Sequence, residues 1–129
     1  VAGDTVTITS IIGDVAGRYV IVLDDEIAKG STTLELIRVL RHQGVRRIRV
    51  ACTHGLFADG ALERIGSQPE VTEIVCTNTV PIPQAERTET LTVLSVAPAL
   101  AEAMRRIHDG ESVSALFASP EPVSGPGLF

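Results

Sequence analysis

The chain has 129 residues, with 11 Lys and Arg against 16 Asp and Glu and a formal net charge of -5. That length suits one domain, or part of one, with a real core. The charge argues against a broad phosphate-coating surface of the nucleic-acid kind, although backbone N–H groups and metal ions can still hold an anionic metabolite locally. No run approaches the roughly 18 apolar residues of a membrane span and no secretory pattern opens the chain, so no membrane and a cytoplasmic location are expected.

Taken in chain order, "TVTITSIIGDVAG" alternates well enough for a strand from about Thr5 to Ile11, followed by turns at Gly13 and Gly17. "YVIVLD", Tyr19 to Asp24, reads as a second strand. "TTLELIRVLRHQG" sets Leu34, Ile37 and Leu40 on one helical stripe, widened by Leu36 and Val39, and predicts a helix over Thr33 to Gln43. Thr32 and Glu35 have capping-box spacing, and Gly44 can supply a left-handed stop. "RIRVACT", Arg47 to Thr53, is a strand; a short helix is expected from Asp59 to Gly66; "EIVCT", Glu73 to Thr77, is again a strand.

"PIPQAERTET" reads as a loop and "LTVLSV", Leu91 to Val96, as a strand. A last helix from about Ala97 to Asp109 aligns Leu100, Met104 and Ile107, has Pro98 in its first turn and closes at Gly110. "SPEPVSGPGLF" has the Pro, Ser and Gly content of a frayed tail. Short aliphatic strands alternating with helices predict an α/β fold with a parallel sheet covered on both faces. Cys52 and Cys76 each end an apolar run, which suits buried, reduced thiols better than a disulfide or a catalytic role.

"VIVLDDEIAKGST", Val20 to Thr32, combines two chemistries. A strand delivering Asp24 and Asp25 at its carboxyl end puts carboxylates in the crevice where open α/β sheets bind ligands. The "AKGST" that follows presents free backbone N–H groups at a helix start, which favours a phosphate. Carboxylates can hold sugar hydroxyls directly or through a hard cation such as Mg²⁺. The blander alternative is a strand end followed by a capped helix. Neither the Walker A order nor G-x-G-x-x-G is present.

The same stretch resembles the phosphoribosyl-pyrophosphate loop of type I phosphoribosyltransferases and ribose-phosphate pyrophosphokinases: two acids, two mostly apolar residues, then a D-T-G-G-T-like turn. "IIGDVAGR", "ACTHGLFADGALERI", "CTNTVPIP" and "LSVAPALAEAMRRIHDGESVSALF" are similar to segments of the pyrophosphokinases, so the resemblance covers about Ile11 to Phe117. It implies a three-layer parallel-sheet type I phosphoribosyltransferase-like fold, present as a partial domain. Residues 1–117 would be the C-terminal portion of that domain and 118–129 a flexible tail.

The implied parent activity is diphosphate transfer from ATP to C1 of ribose 5-phosphate, with Mg²⁺ as cofactor, by a homo-oligomer whose partners are those two substrates and no nucleic acid. By position, Asp24 and Asp25 would hold the ribose hydroxyls or a metal, and Ala28, Lys29, Gly30, Ser31 and Thr32 would line the ribose-5-phosphate site. No catalytic residue is assigned. The family's ATP-binding residues and basic catalytic loop lie upstream of the matched region, so the 129-residue chain alone is expected to lack synthetase activity, and its start at Val1 is expected to mark a fragment or processed product. A nucleobase phosphoribosyltransferase and a non-catalytic regulatory homologue are the alternatives.

Two residues depart from the family's loop: Ala28 stands for the usual acid and Lys29 for the following threonine. Ser112, Ser114 and Phe117 match positions of an inhibitory phosphate or nucleotide site between subunits. His54 suits loop ordering better than catalysis, and His42 and His108 lie near helix ends, where a cation is favourable. Arg46, Arg47 and Arg49 suit a solvated edge or subunit contact, because no aromatic platform accompanies them.

Overall fold

The computed structural model describes residues 12 to 118; the expected Thr5 to Ile11 strand and the tail beyond Ala118 lie outside the described residues. The elements are β1 (Tyr19–Ile27), α1 (Ser31–His42), β2 (Arg47–Gly55), α2 (Ala61–Gly66), β3 (Val71–Thr77), β4 (Leu91–Leu94) and α3 (Ala97–His108), with short 3-10 turns at Ala58–Gly60, Gln84–Glu86 and Ser114–Leu116. The chain divides into two compact units, Val1–Ser95 and Val96–Phe129. The first carries the sheet, the second α3.

The four strands are all parallel and run in the order β1-β2-β3-β4. Parallel crossovers are right-handed almost without exception, so a sheet wound steadily in one direction receives its connecting helices on one face. Ile37 and Leu40 of α1, with Ala61, Leu62 and Ile65 of α2, join one buried cluster with Val22, Ile48, Val50 and Ile74. Ile37, Ile48, Ile65 and Ile74 are fully buried, and each such burial stabilises the fold by about 2 kcal/mol. The alternate residues of β1 face the other way: Tyr19, Ile21 and Leu23 are exposed. Within this unit the sheet is therefore covered on the α1 and α2 side, while the expected second cover is not seen over these three side chains.

β1, β2 and β3 run longer than expected, whereas β4 stops at Leu94, two residues short of the expected Val96. β1 continues through both aspartates to Ile27, and β2 continues to Gly55, because the ladder still pairs Asp24 with Cys52, Glu26 with His54 and Ile27 with Gly55. Ladder pairing with a central neighbour outweighs the weak strand preference of Asp.

At the start of α1 the expected capping box does not form. Gly30 is the N-cap, with φ 69° and no side-chain cap bond, and Glu35 is instead gripped by Arg38 through two hydrogen bonds of 2.9 and 2.7 Å. Gly30 is buried, and a Cβ there would stand 2.9 Å from Ile65 Cδ1 and 3.3 Å from Ala61 Cβ. Both the left-handed backbone and the close approach of α2 require glycine.

Helix ends follow the glycines. Gly44 has φ 74°; its N–H donates to Arg41 and that of Val45 to Leu40, a Schellman stop with buried Val45 against buried Leu40. Gly110 closes α3 the same way, with bonds from Gly110 to Ile107 and from Glu111 to Arg106. The helix expected from Asp59 to Gly66 is shorter, since Asp59 (φ 54°) and Gly60 (φ 71°) are left-handed and α2 begins only at Ala61.

Cys52 and Cys76 are free, buried and opposite each other on β2 and β3. Burial pushes the Cys52 thiol up to about 11 and raises that of Cys76. Both stay protonated, and so poorly nucleophilic, at neutral pH.

Two predictions follow from this packing. Neither thiol should react with an aromatic disulfide reagent at pH 8 while the chain is folded, whereas the urea-unfolded chain should titrate both; rapid labelling of native protein would contradict the buried pairing. Gly60→Ala meets no neighbour within 4 Å at φ 71°, so in urea unfolding it should cost about 1 kcal/mol for the backbone alone. Gly30→Ala should cost about 1–3 kcal/mol more, from overpacking against Ala61 and Ile65.

Candidate functional site

An open cleft of about 850 Å³ lies where β1 ends and α1 begins, lined by Asp24, Glu26, Ile27, Ala28, Lys29, Gly30, Ser31, Thr32 and Thr33. Its position follows from the winding. The carboxyl ends of parallel strands and the N-termini of the helices that follow them gather on one edge of such a sheet. On one side stand the carboxylates of Asp24 and Glu26. On the other stand the N–H groups of Ser31, Thr32 and Thr33, which lie in the first turn of α1 and have no carbonyl within the helix to receive them. The Leu34 N–H already donates to Gly30 at 2.9 Å.

Six of the seven residues singled out in the sequence line this cleft; Asp25 does not. Since β1 runs on to Ile27, its side chains alternate, and Asp24 and Glu26 share the cleft side. Glu26 was legible only as part of the loop, because its facing depends on the strand continuing past Asp24. The Asp25 N–H donates to Asp24 Oδ1 and the Glu26 N–H to Asp25 Oδ1, both at 2.9 Å, so each aspartate keeps its Oδ2 for other partners.

α2 holds the turn from below. Arg64 Nη2 donates to the Lys29 carbonyl at 2.7 Å, which fixes the backbone between the acidic strand end and the helix start. The Lys29 ammonium pairs with Asp59 at 3.5 Å, and both side chains are largely exposed. An exposed pair of that kind contributes little and breaks readily in favour of a better anion.

The neighbouring strand ends carry a hydroxyl network. The Thr53 carbonyl accepts from Thr77 Oγ1 at 2.7 Å and from Thr79 Oγ1 at 3.0 Å. His54 Nδ1 lies 2.8 Å from Thr79 Oγ1. This is the loop-ordering role expected of His54, which faces Glu26 across the ladder.

A second recess of about 380 Å³ lies between the Ala58–Gly60 turn, α2 and the loop at Pro81 to Glu86; Phe57, Leu62 and Ile82 are among its apolar lining and Asp59, Glu63 and Glu86 its acids. No sequence signal marked it.

In the second unit, Ser112, Ser114 and Phe117 follow α3 and are exposed; Ser114 opens the last 3-10 turn and Phe117 follows it. Arg106 Nη1 donates to the Ser112 carbonyl at 3.1 Å. Arg105 bridges Glu102, Asp109 and Glu111. Hydrogen bonds from Arg105 and Arg106 hold the Glu102 carboxyl down to about 2, and Arg105 likewise lowers Glu111. Glu102 and Glu111 therefore stay ionised across the physiological range.

Among the described residues no group of three or more His, Cys, Asp or Glu side chains forms a metal cage, and no helix is long and apolar enough to cross a membrane.

The phosphoribosyl synthetase-associated domain family matches residues 5–118. The chain is 71% identical over 116 residues, 90% of its length, to a Streptomyces coelicolor protein provisionally named a ribose-phosphate pyrophosphokinase, covering 37% of that protein. It is 39% identical over 116 residues to the ribose-phosphate pyrophosphokinase of Synechococcus elongatus, covering 35% of it. Among solved structures, phosphoribosylpyrophosphate synthetase from Mycobacterium smegmatis superposes with a TM-score of 0.71 at 37% identity, over 77% of this chain and 33% of that one. The chain thus spans about a third of the length of these relatives. Sequence match, shared parallel α/β fold and solved neighbour agree: the chain belongs to the phosphoribosyl synthetase-associated domain family.

Proposed function

We propose that this chain supplies the ribose-5-phosphate site of a ribose-phosphate diphosphokinase, the enzyme that moves the diphosphate of ATP to C1 of ribose 5-phosphate. The observation that carries this reading is the cleft itself: carboxylates on the β1 side face unpaired helix N–H groups on the α1 side, with one lysine between them. A sugar phosphate has the matching polarity, hydroxyls at one end and a dianion at the other.

In this reading the 5-phosphate sits on the N–H groups of Ser31, Thr32 and Thr33, with the hydroxyls of Ser31 and Thr32 and the Lys29 ammonium completing the shell. Buried Gly30 lets the backbone turn sharply enough to aim those donors. Asp24, with Glu26 beside it on the cleft wall, takes the ribose hydroxyls, while Asp25, assigned the same role by the family resemblance, stands outside the cleft lining. Of the two aspartates expected to hold a metal, Asp24 rather than Asp25 fits Mg²⁺ in the cleft, because it lines the cleft and keeps a free Oδ2, and Mg²⁺ is usually held by one or two carboxylates, with water and substrate oxygens completing its shell. Bound there, the cation would supply charge neutralisation for the sugar oxygens and for a transferring phosphoryl group. The protein's own part is positioning and exclusion of wrong geometries, which dominates phosphoryl transfer.

ATP, ribose 5-phosphate and a homo-oligomeric, cytoplasmic parent enzyme belong to the same proposal, supported by the pyrophosphokinase relatives. A second reading, a regulatory homologue with lowered turnover, is favoured by one observation. Ala28 lines the cleft where the family's loop carries an acid, leaving a gap in the carboxylate wall. Ser112, Ser114 and Phe117 are proposed as part of a regulatory phosphate site.

Calorimetric titration tests the site directly. Ribose 5-phosphate should bind at millimolar or lower concentration, and Lys29→Ala should weaken it several-fold and flatten its salt dependence. Asp24→Asn should weaken the magnesium-dependent part, and Ala28→Asp should strengthen that same part. No heat at millimolar ligand, or equal binding of ribose and ribose 5-phosphate, would remove the proposal.

A further inference from the structure

The turn that follows β2 directs a carboxylate at the cleft from outside it. Asp59 lines the second recess and not the cleft, yet its Oδ2 stands 3.5 Å from the Nζ of Lys29, which does line the cleft. Neither side chain is constrained by burial, so the backbone that carries them is what brings them together. That backbone is tied at several points. The Ile27 carbonyl at the end of β1 accepts from the N–H groups of Leu56 and Phe57 at 3.0 and 3.1 Å. Arg64 clamps the Lys29 carbonyl, and Ala61 and Ile65 close on Gly30. Between these ties the chain turns through left-handed residues at Phe57 (φ 46°), Asp59 (φ 54°) and Gly60 (φ 71°). Asp is one of the few residues besides glycine that tolerate that region, so the turn can present a carboxylate where Lys29 stands.

An ammonium held by a carboxylate must be released before a phosphate can use it. With Lys29 completing the shell of the 5-phosphate, the apparent affinity falls in proportion to the fraction of molecules whose lysine is free. Exposed pairs are weak, and pairing of that strength lowers affinity about two- to fivefold. The penalty falls on ligands that engage the ammonium and spares those that do not. A phosphate engages Lys29, whereas a neutral sugar does not.

We propose that Asp59 competes with the 5-phosphate for Lys29: it holds the ammonium until a phosphate displaces it, and so sets the affinity of the cleft for phosphate-bearing ligands. Asp59 touches no substrate and acts only through Lys29. Because it lies outside the cleft lining, a ligand in the cleft reaches it through that lysine alone. The proposal rests on the ribose-5-phosphate reading of the cleft and adds to it the residue that limits phosphate binding.

The test is calorimetry of the 129-residue chain with ribose 5-phosphate and with ribose. Asp59→Asn removes the charge while keeping the side-chain shape and the tolerance of a left-handed backbone. It should tighten ribose 5-phosphate about two- to fivefold and leave the response to ribose unchanged. The gain should vanish in the Lys29→Ala background, which isolates the pairwise part. Glu63→Gln, the loss of another acid from the same recess, should give no gain. By carbon-13 NMR, the Asp59 carboxyl resonance should move as ribose 5-phosphate is added to the wild-type chain and stay still in Lys29→Ala. Equal affinity of Asp59→Asn and wild type overturns the proposal and leaves the ribose-5-phosphate site standing. A gain that persists in Lys29→Ala, or that Glu63→Gln reproduces, also overturns it, since general repulsion would then be the cause. Absence of heat from both wild type and Asp59→Asn overturns the site reading and this proposal together.

Discussion

The parallel pairing of β1 with β2 is the constraint on which the rest of the structure depends. Its register runs from Tyr19 opposite Arg47 to Ile27 opposite Gly55, with an amphipathic helix crossing between. Because crossovers have one hand, this pairing decides which face of the sheet α1 covers. Because parallel strands all end on one edge, it also decides that Asp24, Glu26 and His54 gather where α1 begins. A one-residue slip would turn Val20 and Val22 outward and bury Ile21 and Leu23, and would move Asp24 off the cleft wall. Core and candidate site are thus two consequences of one register.

Gly30 is where the packing and the site meet. Its left-handed backbone turns the chain from β1 into α1, and α2 packs so closely that no Cβ fits. Arg64 of the same helix clamps the Lys29 carbonyl. The turn is therefore stiffened by tertiary contacts rather than by a capping side chain, which leaves the N–H groups of Ser31, Thr32 and Thr33 for a ligand. Had Thr32 and Glu35 closed a capping box, one of those donors would have been spent inside the protein. Ion pairing of Glu35 with Arg38 keeps the helix start open.

Much of this was legible in the residues, though unevenly. The stripe of Leu34, Ile37 and Leu40 and the stops at Gly44 and Gly110 depend on local periodicity and on a backbone conformation that favours glycine, and both reappear in the fold. The 3-10 turn at Ala58–Gly60 was not legible, because a left-handed Asp59 has no strong local signature. Nor was the capping-box failure, since Thr32 and Glu35 have the right spacing and only the competing Arg38 and the conformation of Gly30 exclude it. In the loop, the pairing of acids with a helix-opening turn was visible, but not which acids share a wall. That depends on β1 continuing beyond Asp24, and the continuation is enforced by β2.

The sequence by itself determined the α/β class, the parallel character of the strands, the glycine stops of α1 and α3 and the family resemblance, because these rest on period, composition and short motifs that act over a few residues. Tertiary structure alone decided that Glu26 rather than Asp25 lies beside Asp24 on the cleft wall, that Gly30 is required by the approach of Ala61 and Ile65, and that Ile21 and Leu23 face outward. The physical reason is the same in each case. Facing and close contact are set by hydrogen bonds and packing between segments some 25 to 35 residues apart in the chain, such as Glu26 with His54 and Lys29 with Arg64.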